Sequence, residues 1–153
     1  MKVGIITQAL LNNYGGILQN YALQQVLKGM GHDVITIDYV SHFSFKKYII
    51  YILKTFLLLL LNKRRKFLPF YRKRNLFNQQ FVSQYIRTTD SVKKYTAQII
   101  KDYNLDAIVV GSDQVWRPEY NNDLYAMYLS FANDDDNFIR VAYAASFGID
   151  QWT

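Results

Sequence analysis

Two short apolar runs, with a helix-length segment between them, constrain this chain more than any other feature. Lys2 to Thr7 (KVGIIT) is nearly continuously apolar and rich in β-branched residues, the pattern of a strand buried on both faces rather than one. Asn12, Asn13, Tyr14, Gly15 and Gly16 break it. Beyond the break, Leu18, Ala22, Val26 and Met30 recur at four-residue steps, and Leu23 and Leu27 widen the stripe. This predicts an amphipathic helix, ended by Gly29 and Gly31. Asp33 to Asp38 (DVITID) is again β-branched and alternating. Strand, helix and strand within about forty residues is the spacing of a βαβ crossover and predicts a parallel sheet.

The rest of the chain continues the alternation. Val92, Tyr95, Ile99, Ile100 and Tyr103 predict a second amphipathic helix, with Thr89 or Asp90 placed to cap it. Leu105 to Val110 (LDAIVV) reads as a buried strand ending at Gly111. Phe138 to Ala145 (FIRVAYAA), entered from the acidic turn Asn133 to Asn137, reads as a last strand ending at Ser146, Phe147 and Gly148. The 153 residues are half hydrophobic, enough for one domain with its own core. The fold class is therefore α/β, a doubly wound parallel sheet, over residues 1–153. The chain has no cysteine, which rules out disulfides, thiolate catalysis and cysteine-ligated zinc.

The net charge of +6 is carried by one stretch. Between Tyr39 and Thr89 there is no acidic residue, and eleven of the eighteen Lys and Arg residues lie there; the remainder is net negative. Attraction to anions belongs to this insert, at about residues 41–87. Its segment Tyr48 to Leu61 (YIIYILKTFLLLLL) is apolar nearly all round. As a helix it would extend about 21 Å, short of the roughly 30 Å needed to span a bilayer. Basic residues from Lys46 to Lys66 flank it, which suits a helix lying at an anionic membrane surface. A helix packed on the sheet, or against another domain, is the alternative. Met1 to Gln8 has no cleavage site and does not resemble a secretory signal, so a cytoplasmic protein is expected, peripheral at the inner membrane face if the insert docks there. No nucleic-acid-binding motif accompanies the charge, and no nucleic acid is expected as a partner.

In doubly wound sheets ligands bind beyond the carboxyl ends of the strands. Three strands end in small or polar clusters here. Asn13, Tyr14, Gly15 and Gly16 lead into a helix N-terminus, whose free N–H groups and dipole favour an anion; the alternative is an ordinary turn that needs glycine. Gln19 and Asn20 on the first helix are placed to face the crevice. Gly111, Ser112, Asp113, Gln114, Val115, Trp116 and Arg117 follow a strand directly. Asp113 suits orienting or deprotonating a hydroxyl, Trp116 stacking on a sugar face, and Arg117 binding an anion. The alternative is that Asp113 caps the next turn and Trp116 belongs to the core. Ser146, Phe147 and Gly148 complete the rim. His32 and His42 lie away from it, and neither a hydrolase triad nor metal-ligand spacing is visible, so no metal and no cofactor is expected.

The segments NNYGGILQNYALQQVLKGMGHDV, DAIVVGSDQVW and VAYAASFG, in this order and spacing, resemble the polysaccharide pyruvyltransferase family. The resemblance covers the chain apart from the basic insert. It implies a Rossmann-like domain forming one half of a GT-B-like two-domain enzyme, with a C-terminal domain that is absent here. It also implies transfer of a pyruvyl group from phosphoenolpyruvate, as donor substrate, onto a sugar hydroxyl as a ketal. On this carry-over the three rim clusters form the N-terminal wall of the cleft, Asp113 is the candidate catalytic group, and the remaining rim residues position a saccharide acceptor. The apolar insert would suit a lipid-linked acceptor. The isolated chain is expected to be inactive. The alternatives are a GT-B-type glycosyltransferase using a nucleotide sugar, and a non-catalytic membrane-associated module.

Overall fold

A computed structural model describes residues 1–40, 68–121, 123–132 and 138–149, with residues 68–75 by backbone only. The apolar segment 48–61, its flanking cations and the acidic turn 133–137 lie outside the described residues. Strand β1 (Lys2–Ile6), helix α1 (Tyr14–Gly29), strand β2 (Asp33–Thr36), helix α2 (Leu68–Tyr85), helix α3 (Ala97–Asp102), strand β3 (Ala107–Asp113), a 3₁₀ turn (Tyr125–Tyr128) and strand β4 (Ile139–Ala145) follow in chain order. The four strands form one sheet in the order β2-β1-β3-β4, and all three pairings are parallel. The expected doubly wound α/β architecture is present.

Alternation along the strands divides the core into two layers, as side chains on neighbouring residues leave a sheet on opposite faces. Val3, Ile5, Val34, Ala107 and Val109 meet Leu23 of α1. Ile6, Ile35, Ile37, Ile108 and Val110 meet Ile99 and Ile100 of α3, together with Ala126 and Met127 of the 3₁₀ turn. Both faces of β1 and β3 are therefore covered, which explains why these segments are apolar without a break.

Helix α1 docks on a different face from the one its apolar spacing predicts. Leu18, Val26 and Met30 are 50%, 53% and 66% exposed, and the sheet instead receives Ile17, Asn20, Leu23 and Gln24. The reason is a buried polar network. Gln24 Nε2 donates to Thr36 Oγ1 at 2.8 Å and to the Arg87 carbonyl at 2.7 Å, while its Oε1 accepts from the Arg87 N–H at 3.2 Å. Thr36 Oγ1 in turn donates to Asn20 Oδ1 at 2.9 Å. Gln24 can be buried here because β2 and the chain at Arg87 satisfy its carboxamide, whereas Asn20 is satisfied only at Oδ1, its Nδ2 having no partner among the described residues; an apolar count does not register such partners.

The segment after Arg87 also departs from expectation. Rather than starting a helix at Thr89 or Asp90, residues 87–92 run along β2. Thr36 N–H donates to the Arg87 carbonyl, Thr89 N–H to the Thr36 carbonyl and Val92 N–H to the Asp38 carbonyl, at 2.8 to 2.9 Å. The Thr89 hydroxyl accepts from Asp38 N–H at 3.0 Å, so it is not free to cap a helix. Helix α3 starts only at Ala97, with Thr96 in the capping position. Tyr95 remains core: its ring stacks between Tyr39 and Phe131, at centroid distances of 5.0 and 5.8 Å. Its hydroxyl has no partner among the described residues. Burial pushes this phenol well above its usual range, with the neighbouring Tyr39 hydroxyl and the Asp38 and Asp123 carboxylates adding to the effect, so it stays neutral.

Two substitutions test this account by chemical denaturation. Gln24→Leu keeps the volume but strands the Arg87 peptide groups and leaves Thr36 short of a donor, and it should cost on the order of 3 kcal/mol. Tyr95→Phe removes a buried hydroxyl that gains nothing where it lies, and it should raise stability by about 1 kcal/mol.

Candidate functional site

The parallel sheet brings the carboxyl ends of β1, β3 and β4 to one rim, and backbone contacts lace two of the loops together. Ser146 N–H donates to the Asp113 carbonyl at 2.9 Å, and Trp116 N–H donates to the Ser146 carbonyl at 3.2 Å. Gly111 has a φ of +138°, and a Cβ there would overlap the Tyr143 carbonyl oxygen on β4. Only glycine lets the β3 backbone approach β4 so closely. A residue with a side chain at position 111 would therefore push the last residues of β3 away from β4.

The first rim cluster is held by its own cap. Asn13 Oδ1 accepts from Gly16 N–H at 3.2 Å, and the Asn13 carbonyl accepts from Ile17 N–H at 3.0 Å. No acidic residue occupies the first turn of α1, so its N-terminal dipole is not offset there. Tyr14 is exposed, and a Cβ added at Gly15 or Gly16 would meet only the Asn13 side chain. Gln19 and Ser112 line one open groove of about 580 Å³ between α1 and β4, whose other walls include Val26, Met30, Val141 and Tyr143. Asn20, expected to face the crevice, is instead 2% exposed and bonded to Thr36.

In the β3 loop, Asp113 adopts a φ of +70° and is partly exposed. Its carboxylate has no hydrogen-bond or ion-pair partner among the described residues. Trp116 lies between Tyr128 and Phe147, with ring centroids at 5.6 and 5.4 Å, and its indole N–H donates to the Met127 carbonyl at 3.1 Å. The indole thus joins the β4 loop to the 3₁₀ turn. Gln8, just beyond β1, was not singled out from the sequence; its Nε2 donates to the Gln114 carbonyl at 3.4 Å, tying the β1 end to the β3 loop. A polar residue two positions past a strand carries no signal of such a partner. Arg117 Nη1 donates to Gln114 Oε1 at 3.2 Å and to the Gly148 carbonyl at 3.4 Å.

Residues 13–153 match the family model described as polysaccharide pyruvyl transferase. The chain belongs to this family. No curated protein and no solved structure gives a significant match. Membership makes the chain part of a transferase family and implies a saccharide acceptor. The match begins at Asn13 and takes in all three rim clusters. Among the described residues no group of His, Asp or Glu is arranged to hold a metal ion, and no helix is long and apolar enough to cross a membrane.

Gly111→Ala tests whether the close approach of β3 to β4 shapes the rim. The added methyl has no room against the Tyr143 carbonyl and faces an unfavourable φ, so a loss on the order of 3 kcal/mol is expected in urea unfolding.

Proposed function

We propose that this chain forms one wall of the cleft of an enzyme that moves a pyruvyl group from phosphoenolpyruvate to a saccharide, joining it as a ketal. The family match over residues 13–153 is the observation that carries this reading. In such a reaction the methylene carbon of phosphoenolpyruvate gains a proton, two sugar hydroxyls add at its central carbon, and inorganic phosphate departs. The chemistry calls for a group to handle hydroxyl protons, donors to hold the carboxylate and phosphate, and stabilisation of positive charge at the central carbon.

The rim residues suit the acceptor side of this task. Asp113 presents a carboxylate that no described residue engages, placed to orient a sugar hydroxyl or take its proton. Gln19 and Ser112 supply neutral hydrogen-bond groups along one groove. The α1 N-terminus with its Asn13 cap offers N–H groups suited to a carboxylate or phosphate oxygen. A second α/β lobe, as in GT-B-like enzymes, would supply the facing wall and the cations for the leaving phosphate; on this reading residues 1–153 alone do not catalyse. A lipid-linked acceptor at the inner membrane face would fit the basic, apolar sequence between Lys46 and Lys66.

Thermal unfolding of the protein with phosphoenolpyruvate, and separately with UDP- and GDP-sugars, tests this reading. A ligand at a hundred times its dissociation constant stabilises the folded state by about 2.7 kcal/mol. Stabilisation by phosphoenolpyruvate is the expected result. A response confined to nucleotide sugars would replace pyruvyl transfer with glycosyl transfer.

A further inference from the structure

Gln114 touches all three strand ends of the rim. Its backbone carbonyl accepts from Gln8 beyond β1 and, within the β3 loop, from Arg117 N–H at 3.1 Å. Its carboxamide lies against Gly148 beyond β4, filling the space that a Cβ on that glycine would take, and Gly148 has a φ of +62°. Arg117 fastens this arrangement. One guanidinium nitrogen, Nη1, reaches both Gln114 Oε1 and the Gly148 carbonyl, at 3.2 and 3.4 Å. Nε donates to Glu119 Oε2 at 3.2 Å, and the guanidinium carbon lies 4.8 Å from the Tyr120 ring centre.

We infer that Arg117 is a positioning residue, a latch that sets the spacing of the β3 and β4 loops through Gln114 and Gly148, and that it does not itself bind the substrate anion. Three observations carry this beyond the first expectation for Arg117. Its charge is offset on the spot by Glu119, so the net field offered to an approaching anion is small. Its Nε and Nη1 hydrogens and one face of the guanidinium are already engaged by protein groups. Its two oxygen partners on the loops, both held by Nη1, are a side-chain carboxamide and a main-chain carbonyl, the kind that fix loop geometry; the planar guanidinium holds them while its Nε holds Glu119, a fixed spacing of two nitrogens that an ammonium on a flexible stem does not reproduce. The latch closes beside Trp116, whose ring rests on Phe147, the residue next to Gly148.

The test uses the 153-residue chain with Trp152→Phe as background, so that Trp116 is the one indole among these residues. In the absence of ligand, Arg117→Met and Gln114→Met should each shift Trp116 emission to the red and raise its quenching by acrylamide about twofold, and the double variant should add little, since both remove the same coupling. An emission spectrum unchanged in Arg117→Met overturns the latch. The second arm rests on the pyruvyltransferase reading and titrates phosphoenolpyruvate by calorimetry. Both single variants should weaken binding about tenfold, and Arg117→Lys should not restore it. Loss in Arg117→Met alone, with full rescue by Arg117→Lys and normal binding in Gln114→Met, would make Arg117 a direct anion ligand and overturn the inference. If the parent protein does not bind phosphoenolpyruvate, that reading of function fails, while the emission arm still decides the latch.

Discussion

The parallel pairing of β3 with both β1 and β4 is the constraint on which the rest depends. Through it the carboxyl ends of three strands finish at one rim, although the end of β1 at Ile6 and the end of β3 at Asp113 are more than a hundred positions apart in sequence. The pairing needs a central strand that can be buried on both faces, which Ala107 to Val110 supply. It also needs a backbone that can pass close to β4 just where the strand ends, which Gly111 supplies. A side chain at that position would separate the β3 and β4 loops and, with them, Asp113 from Ser146.

Around this centre the chain uses polar groups structurally more than catalytically. Gln24, Thr36 and Asn20 join α1 to β2 and to the chain at Arg87 inside the core. Gln8, Gln114 and Arg117 do the same at the rim. In both places carboxamides predominate, because an amide offers donors and an acceptor together and bridges segments without the desolvation cost of an ion. Asp113 differs in kind: it is a charged group at the strand ends that the described structure leaves without a partner.

The open face between α1 and β4 follows from the same arrangement. Among the described residues, four strands with α1 on one side leave part of the sheet uncovered, and Ile139, Val141 and Tyr143 are 48%, 39% and 55% exposed on a strand whose composition is that of a buried one. Val26 and Met30 of α1 belong to the same open surface. Of the stripe at four-residue steps, Ala22, Val26 and Met30 line this groove, while Leu23 and Leu27 meet the sheet.

The strand sequences, the βαβ spacing and the glycine-rich strand ends were legible from the amino acids alone, because burial on both faces demands continuous apolar β-branched runs and close backbone approach demands glycine. The motifs at those ends were enough to indicate the family. Tertiary structure alone decided which face of α1 meets the sheet, that residues 87–92 run beside β2 before α3 begins, that Asn20 is buried and that Arg117 faces Gln114 and Gly148. Each of these turns on at least one hydrogen-bond partner from another segment of the chain, and a polar side chain carries no mark in its own sequence of whether such a partner or water will satisfy it.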